Sequence, residues 1–196
     1  HRQNALTEAL KNQAIDVALM DVKKAVSNAD LVVLAAPVES IIKLFTTINP
    51  YLKRGCIVTD LGSAKAKIVE KGEKILSAPS FFVGSHPLTG SEKKGVENAR
   101  VDLFEGATCI MTPTDKTNQI AKQKVKHFWT KLGMEVKFLT PDEHDETLAY
   151  VSHLPHLLAY GLMESVPAKY FEYASQGLKD TTRIAASTSE LWSDIF

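Results

Sequence analysis

The chain has 196 residues, 44% hydrophobic and 23% charged, a composition that supports a buried core and excludes a disordered or fibrous class. Lys plus Arg and Asp plus Glu each total 23, so the formal net charge is zero, and no whole-chain field draws the protein to nucleic acid or a membrane surface. The longest apolar runs, such as Leu31 to Val38, are far shorter than the roughly 20 residues of a membrane span. No signal peptide is visible, and Cys56 and Cys109 lie in apolar stretches that suit reduced core thiols, so the cytoplasm is the simplest compartment.

The chain starts at His1, and the segment from His1 to Val17 reads as a helix with no strand before it, which suggests a missing N-terminus. Five apolar, β-rich runs then begin near Leu31 (LVVLAA), Cys56 (CIVTDL), Phe81 (FFVGS), Thr108 (TCIMT) and Met134 (MEVKFL), spaced by roughly 25 residues as in repeated β-α units. Helical periodicity between them predicts helices over Glu39–Leu52, Ala64–Leu76, Lys93–Leu103 and Thr117–Leu132, the last ended by Gly133. Strands that alternate with helices and are apolar throughout imply a mostly parallel, doubly wound sheet covered on both faces. After Pro141 no further strand run occurs, and helices are expected from Asp142 to about Ser165 and again from Pro167. This divides the chain into an α/β domain, residues 1–140, and an all-α domain, residues 141–196. The second holds 9 acidic and 3 basic side chains and the first 14 and 20. The basic half suits an anionic dinucleotide, although Lys-rich helix faces such as Lys116 to Lys131 are equally explained as solvated surface.

Ligands of doubly wound sheets sit at the carboxyl ends of the strands, where three segments carry candidate chemistry. Ala36-Pro37-Val38 follows the first run; it offers a turn that could lie against a flat ring, or simply a proline-started helix. Thr59-Asp60-Leu61-Gly62-Ser63-Ala64-Lys65 follows the second, with Ser63 either a functional hydroxyl or a helix cap. Gly84-Ser85-His86-Pro87-Leu88-Thr89-Gly90 follows the third. A histidine between small residues at a strand end is hard to explain as packing, and His86 is a candidate general base with Ser63 as its orienting hydroxyl. In the helical half, Ser152 and His156 are four apart and would share a helix face, which Pro155 should kink or break. His153 and His156 with Asp142, Glu143, Asp145 and Glu146 could be proposed for zinc, but an acidic cluster at a helix start is favoured by the macrodipole alone, and no metal is expected.

Taken together, DLGSAK, GSHPLTGSEKKG, LFEGATCIMTPT, SHLPH, LKDTTRIA and LWSDIF, in this order from one end of the chain to the other, resemble the prephenate/arogenate dehydrogenase family of tyrosine biosynthesis. The resemblance implies a Rossmann-like nucleotide-binding domain followed by a helical substrate and dimerisation domain. It also implies a nicotinamide-dependent oxidative decarboxylation of prephenate or arogenate, giving 4-hydroxyphenylpyruvate or tyrosine. By the same similarity His86 takes the ring hydroxyl proton, Ser63 orients His86, Arg183 pairs with a substrate carboxylate, and Ser152 and His156 line the pocket. Trp192 matches a family tryptophan near the partner subunit's active site, or is a core aromatic of the helical domain. Ala36, Pro37 and Arg2 would touch the cofactor, which is expected to be NAD, with NADP the alternative. The expected assembly is a homodimer.

The family's G-x-G-x-x-G turn is absent, since none of the ten glycines has that spacing. The first strand, this turn and the acidic ribose-binding residue are expected upstream of His1, and further helices are expected beyond Phe196. Two other functions compete. A 3-hydroxy acid dehydrogenase would use Lys179 as its catalytic lysine but would leave His86 without a role. A non-catalytic module sensing tyrosine would not need His86, Ser63 and Arg183 together.

Overall fold

The computed structural model describes residues 2–76, 78–90 and 95–186, with only the backbone of Arg2. The chain forms two compact units, His1–His144 and Asp145–Phe196.

The first unit opens with α1 (Arg2–Lys11) and the short α2 (Val22–Val26), whose N-cap Asp21 accepts from the Lys23 amide at 2.9 Å. Strands β1 (Leu31–Leu34), β2 (Ile57–Asp60) and β3 (Phe81–Val83) form a parallel ladder in the order β1-β2-β3. Helices α3 (Val38–Ile48) and α4 (Ala66–Ile75) supply the crossovers. Alternate residues of the central strands serve two cores. Val58 and Phe82 join Ile41, Phe45, Ile48 and Ile68 of α3 and α4. Ile57 and Val83 join Val125 and Trp129 of α5 (Gln119–Lys131), the helix that covers the other face. Both faces of β2 and β3 therefore pack into a core, which explains their apolar runs, with the buried Thr59 and Asp60 at the end of β2 as the polar exceptions.

The run FFVGSHP is two strands. Past Gly84 the chain enters β4 (Ser85–Pro87), which pairs antiparallel with β5 (Thr108–Met111), itself parallel to β6 (Glu135–Phe138). A Cβ on Gly84 would sit 2.5 Å from Thr112 Oγ1 and 2.8 Å from Val69 Cγ2, so the switch between ladders passes where no side chain fits. Pro87 is tolerated because β4 is an edge strand. The helix expected over Lys93–Leu103 does not form in its described part. Gly95 has φ +97°, only Val96–Asn98 makes a 3₁₀ turn, and Ala99 is extended. β6 is present but exposed at three of its four residues, because it edges its ladder and is not covered on both faces.

The second unit is helical. It takes up from α6 (Pro141–Leu148) with a π-helical turn at Ala149–His153, then α7 (Leu154–Ser165), a 3₁₀ stretch Ala168–Tyr173, α8 (Gln176–Thr182) and a 3₁₀ turn Arg183–Ala186. The break expected at Pro155 takes the form of the preceding π turn. Proline has no N–H to donate, and the wider turn removes the need for that bond while the helix continues.

Gly72 provides a test of the α4 packing. An alanine in a helix interior is ordinarily better than glycine by about 1 kcal/mol, but a Cβ here would lie 2.6 to 2.9 Å from three carbons of the Phe82 ring. Gly72→Ala is therefore expected to destabilise the protein by roughly 1–3 kcal/mol. A urea midpoint equal to or above that of the unmodified chain would contradict this packing.

Candidate active site

β2 ends on Asp60, and the turn from Leu61 to Lys65 leads into α4. The Leu61 amide donates to Leu34 O at 3.1 Å, which ties the turn to the end of β1. The Gly62 amide donates to Asp60 Oδ2 at 2.9 Å. A Cβ on Gly62 would lie 2.4 Å from Ile68 Cδ1 and 2.9 Å from that same carboxylate oxygen, so glycine is what lets the backbone close over Asp60. The N-cap of α4 is Lys65, without a side-chain cap bond. Ser63 lies two residues before it, half-buried, and is not the cap.

Asp60 and Lys65 are both completely buried and paired with each other. Lys65 Nζ also donates to Ser85 O at 2.9 Å, and the Ser85 amide donates to Asp60 Oδ1 at 3.2 Å. The pair thus holds both backbone polar groups of the residue before His86. Thr59 Oγ1 donates to Val83 O at 2.7 Å, which uses its one proton, so Ser85 Oγ is the donor in its 2.9 Å bond to Thr59 Oγ1. These bonds join the end of β2 to β4 where no backbone ladder does.

His86 is half-buried on β4, opposite Ile110 of β5. Its Nδ1 lies 2.9 Å from Nε2 of His144, with ring centroids 5.1 Å apart. The hydrogen bond expected from Ser63 is thus not the one at Nδ1. His144, on α6, is completely buried. Its position follows from a capping box at the start of α6. Glu143 Oε2 accepts from the Thr140 amide at 2.8 Å, and the Glu143 amide donates to Thr140 Oγ1 at 3.2 Å. The Thr140 amide, with the Thr140 hydroxyl that donates to the same oxygen at 2.9 Å, holds the Glu143 carboxyl below its ordinary pKa. Burial pushes the Cys109 thiol, on the neighbouring strand β5, up to about 12, so it is an inert core group.

Of the proposed cofactor residues, Ala36 is half-buried against the α3 core and Pro37 caps α3 without a side-chain bond. Arg2 begins α1. In the second unit, Ser152 lies in the π turn and His156 one turn into α7, both half-buried. His156 Nδ1 donates to Ile184 O at 3.1 Å. A carbonyl only accepts, so Nδ1 carries the proton and Nε2 holds the lone pair of the neutral ring. Burial, partly offset by that bond, keeps the His156 pKa below its ordinary value. Arg183, the neighbour of Ile184, is exposed and forms no ion pair among the described residues; Asp180 accepts from Gln176 Nε2 at 2.7 Å. Trp192 lies outside the described residues. Among those residues, no group of three or more His, Cys, Asp or Glu is placed to hold a metal, and no helix is long and apolar enough to cross a membrane.

The motif pattern did not reveal three components of this site. Asp60 and Lys65 looked like a turn acid and a helix-start lysine, and His144 lay hidden in an acidic run at a helix start. The five-residue spacing of Asp60 and Lys65 around a glycine was the one available signal.

A parallel ladder packed by helices on two sides, with a half-buried histidine beyond its carboxyl ends and a separate helical unit, defines a two-domain protein of the Rossmann-like nucleotide-binding class. The profile for the prephenate dehydrogenase nucleotide-binding domain matches residues 1–138, and that for the prephenate dehydrogenase dimerization domain matches residues 140–196. The chain belongs to the prephenate dehydrogenase family. It is 34% identical to a prephenate dehydrogenase of Bacillus subtilis, over 95% of this chain and 52% of the relative. It is 33% identical to a cyclohexadienyl dehydrogenase of Zymomonas mobilis, over 89% of this chain and 62% of the relative. A prephenate dehydrogenase from A. aeolicus, solved with hydroxyphenyl propionate and NAD+, superimposes with a TM-score of 0.90 at 35% identity, covering 99% of this chain and 70% of that one. The chain therefore spans only 52% to 62% of the length of these two curated relatives.

The buried pair gives a prediction. Lys65→Met leaves a buried carboxylate without its cation and is expected to lose about 3–5 kcal/mol, whereas adding Asp60→Asn removes the stranded charge and restores part of the loss. Urea unfolding of the two variants measures this, and a double variant no more stable than Lys65→Met would show that the charge is not the cause.

Proposed function

We propose that this chain is the catalytic part of a prephenate or arogenate dehydrogenase. The reaction is a nicotinamide-dependent oxidative decarboxylation giving 4-hydroxyphenylpyruvate or tyrosine. The observation that carries this reading is His86, a titratable ring held at a strand end by a backbone that the Asp60–Lys65 pair fixes on both sides. His86 takes the proton of the substrate's ring hydroxyl on Nε2, since Nδ1 is already bonded. Ser63, half-buried in the turn that leads into α4, is assigned to the orientation of that ring. Arg183 pairs with a substrate carboxylate through its uncommitted fork, and Ser152 and His156 supply polar contacts to the substrate. Trp192 is assigned to substrate binding at the partner subunit's site.

The relative solved with NAD+ supports NAD as the cofactor, with NADP the alternative. The local structure fits a dinucleotide. Ala36 and Pro37 form a small, uncapped turn at the end of β1 and would lie against it, and Arg2 would sit at its ribose end. When bound, the cofactor supplies the hydride acceptor. The second unit exposes Tyr150, Val151, Leu157, Leu158 and Tyr173, and a unit matched by a dimerization domain with so much exposed apolar surface is assigned to pairing in a homodimer. The location is assigned to the cytoplasm, with no nucleic-acid or membrane partner.

The decisive experiment follows reduction of NAD at about 340 nm in the full-length protein with prephenate or arogenate. Turnover is expected, and His86→Asn should lower kcat by about 10²–10⁴-fold. Tyrosine binding without turnover would instead establish a sensing module. For Arg183, the expectation is a substrate KM raised about tenfold or more in Arg183→Ala, from loss of a charge-assisted bond, with a smaller rise in Arg183→Lys and the cofactor KM nearly unchanged. A change confined to the cofactor KM would remove Arg183 from substrate recognition.

A further inference from the structure

The contact between His86 and His144 links residues 58 positions apart at 2.9 Å, and neither the fold nor the proposed chemistry requires a second histidine there. A hydrogen bond between two ring nitrogens holds one proton between a donor and an acceptor, so it fixes the tautomers of both rings together. Only two arrangements of the neutral pair exist. If His144 donates, His86 Nδ1 is an acceptor, its proton sits on Nε2, and the ring presents an acid. If His86 donates, its Nε2 is bare and the ring presents a base.

We propose that His144 is the positioning residue for His86, accepting from Nδ1–H and so holding the tautomer in which the Nε2 lone pair can take a proton. This rests on the assignment of His86 as general base and adds the group that keeps it in basic form. The same Nδ1–H bond persists when His86 gains its proton on Nε2, so the transfer needs no rearrangement of the pair. The support for His144 is rigid. The Thr140–Glu143 capping box sets the start of α6, His144 N–H donates to Thr140 O at 2.9 Å within that first turn, and the side chain is fully buried. On the other side, the backbone before His86 is clamped at Ser85 by Lys65 and Asp60. Both rings are therefore held from their own backbones, and the shared bond couples the positions of their ring protons.

The test uses the full-length enzyme with ¹⁵N-labelled histidine. Nitrogen chemical shifts of neutral His86, assigned by their loss in His86→Asn, are expected to show a protonated Nδ1 and a bare Nε2. A protonated Nε2 in the unmutated protein overturns the proposal without any variant at position 144. His144→Phe keeps a ring but offers no acceptor. Its kcat is expected to fall about tenfold or more, within the roughly 10²–10⁴-fold that a general base contributes, while both KM values stay within about twofold. His144→Gln, whose amide oxygen can accept from Nδ1–H, should recover part of the loss. A folded His144→Phe variant with undiminished kcat refutes the role. Should that variant not fold, His144→Gln and the unmutated tautomer decide the matter. Undiminished turnover in His86→Asn would instead remove the general-base reading, an outcome distinct from a wrong tautomer partner.

Discussion

The Asp60–Lys65 pair is the interaction on which the rest of the candidate site depends. Taking two opposite charges wholly out of water costs several kcal/mol for each ion, and well-packed apolar residues would often serve stability as well. Here the carboxylate also accepts the amides of Gly62 and Ser85, and the ammonium also donates to Ser85 O. Those bonds cross a gap in the backbone hydrogen bonding, between a parallel ladder that ends at β3 and a second ladder that begins at β4. An apolar pair could fill the same volume, but it could not satisfy the Ser85 amide and carbonyl at that switch. The contribution is therefore geometric: it fixes where the chain stands one residue before His86.

Legibility followed burial. The strands LVVL, CIVTDL and FFV were readable because most of their side chains enter one of the two cores and are apolar, Val33 being exposed and Thr59 and Asp60 the buried polar exceptions. β6 was readable from its β-rich composition, although its exposure was not foreseen. The helix expected over Lys93–Leu103 failed because a periodic pattern says nothing of a glycine at φ +97° in its path. The split of FFVGSHP into two strands was hidden because a single glycine marks it, and the reason lies in Thr112 and Val69, which crowd that position from elsewhere in the chain. His86 and Ser63 stood out as polar groups at strand ends. His144 did not, because its partner is 58 residues away and local pattern reports only neighbours.

The helical unit shows a similar division between what sequence states and what packing decides. Pro155 announced a break, since it removes a donor, but not that the chain would widen into a π turn and carry on. That turn contains Ser152, and His156 follows it closely, so the irregular backbone falls where polar side chains cluster, as such turns often do. The bond from His156 to Ile184 O then anchors the 3₁₀ turn that begins at Arg183. Asp180 stands three residues before Arg183, a spacing that suits a surface ion pair. Gln176 instead donates to that carboxylate from the preceding turn of α8, and among the described residues the arginine forms no ion pair.

The choice of a histidine beside His86 has an electrostatic logic. Many general-base histidines lean on a carboxylate, which orients the ring and stabilises the imidazolium by charge. A buried carboxylate in place of His144 would add a negative charge beside a base whose proposed substrate is itself anionic, a dicarboxylate in the case of prephenate, and like charges brought together away from water repel strongly. A neutral imidazole orients the ring through the same nitrogen without that charge. It yields less stabilisation of the protonated base in return. Asp60, a carboxylate buried near β4, is paired with Lys65, so the strand carrying His86 is held by charges that cancel, while the group against its ring is an imidazole and not a carboxylate.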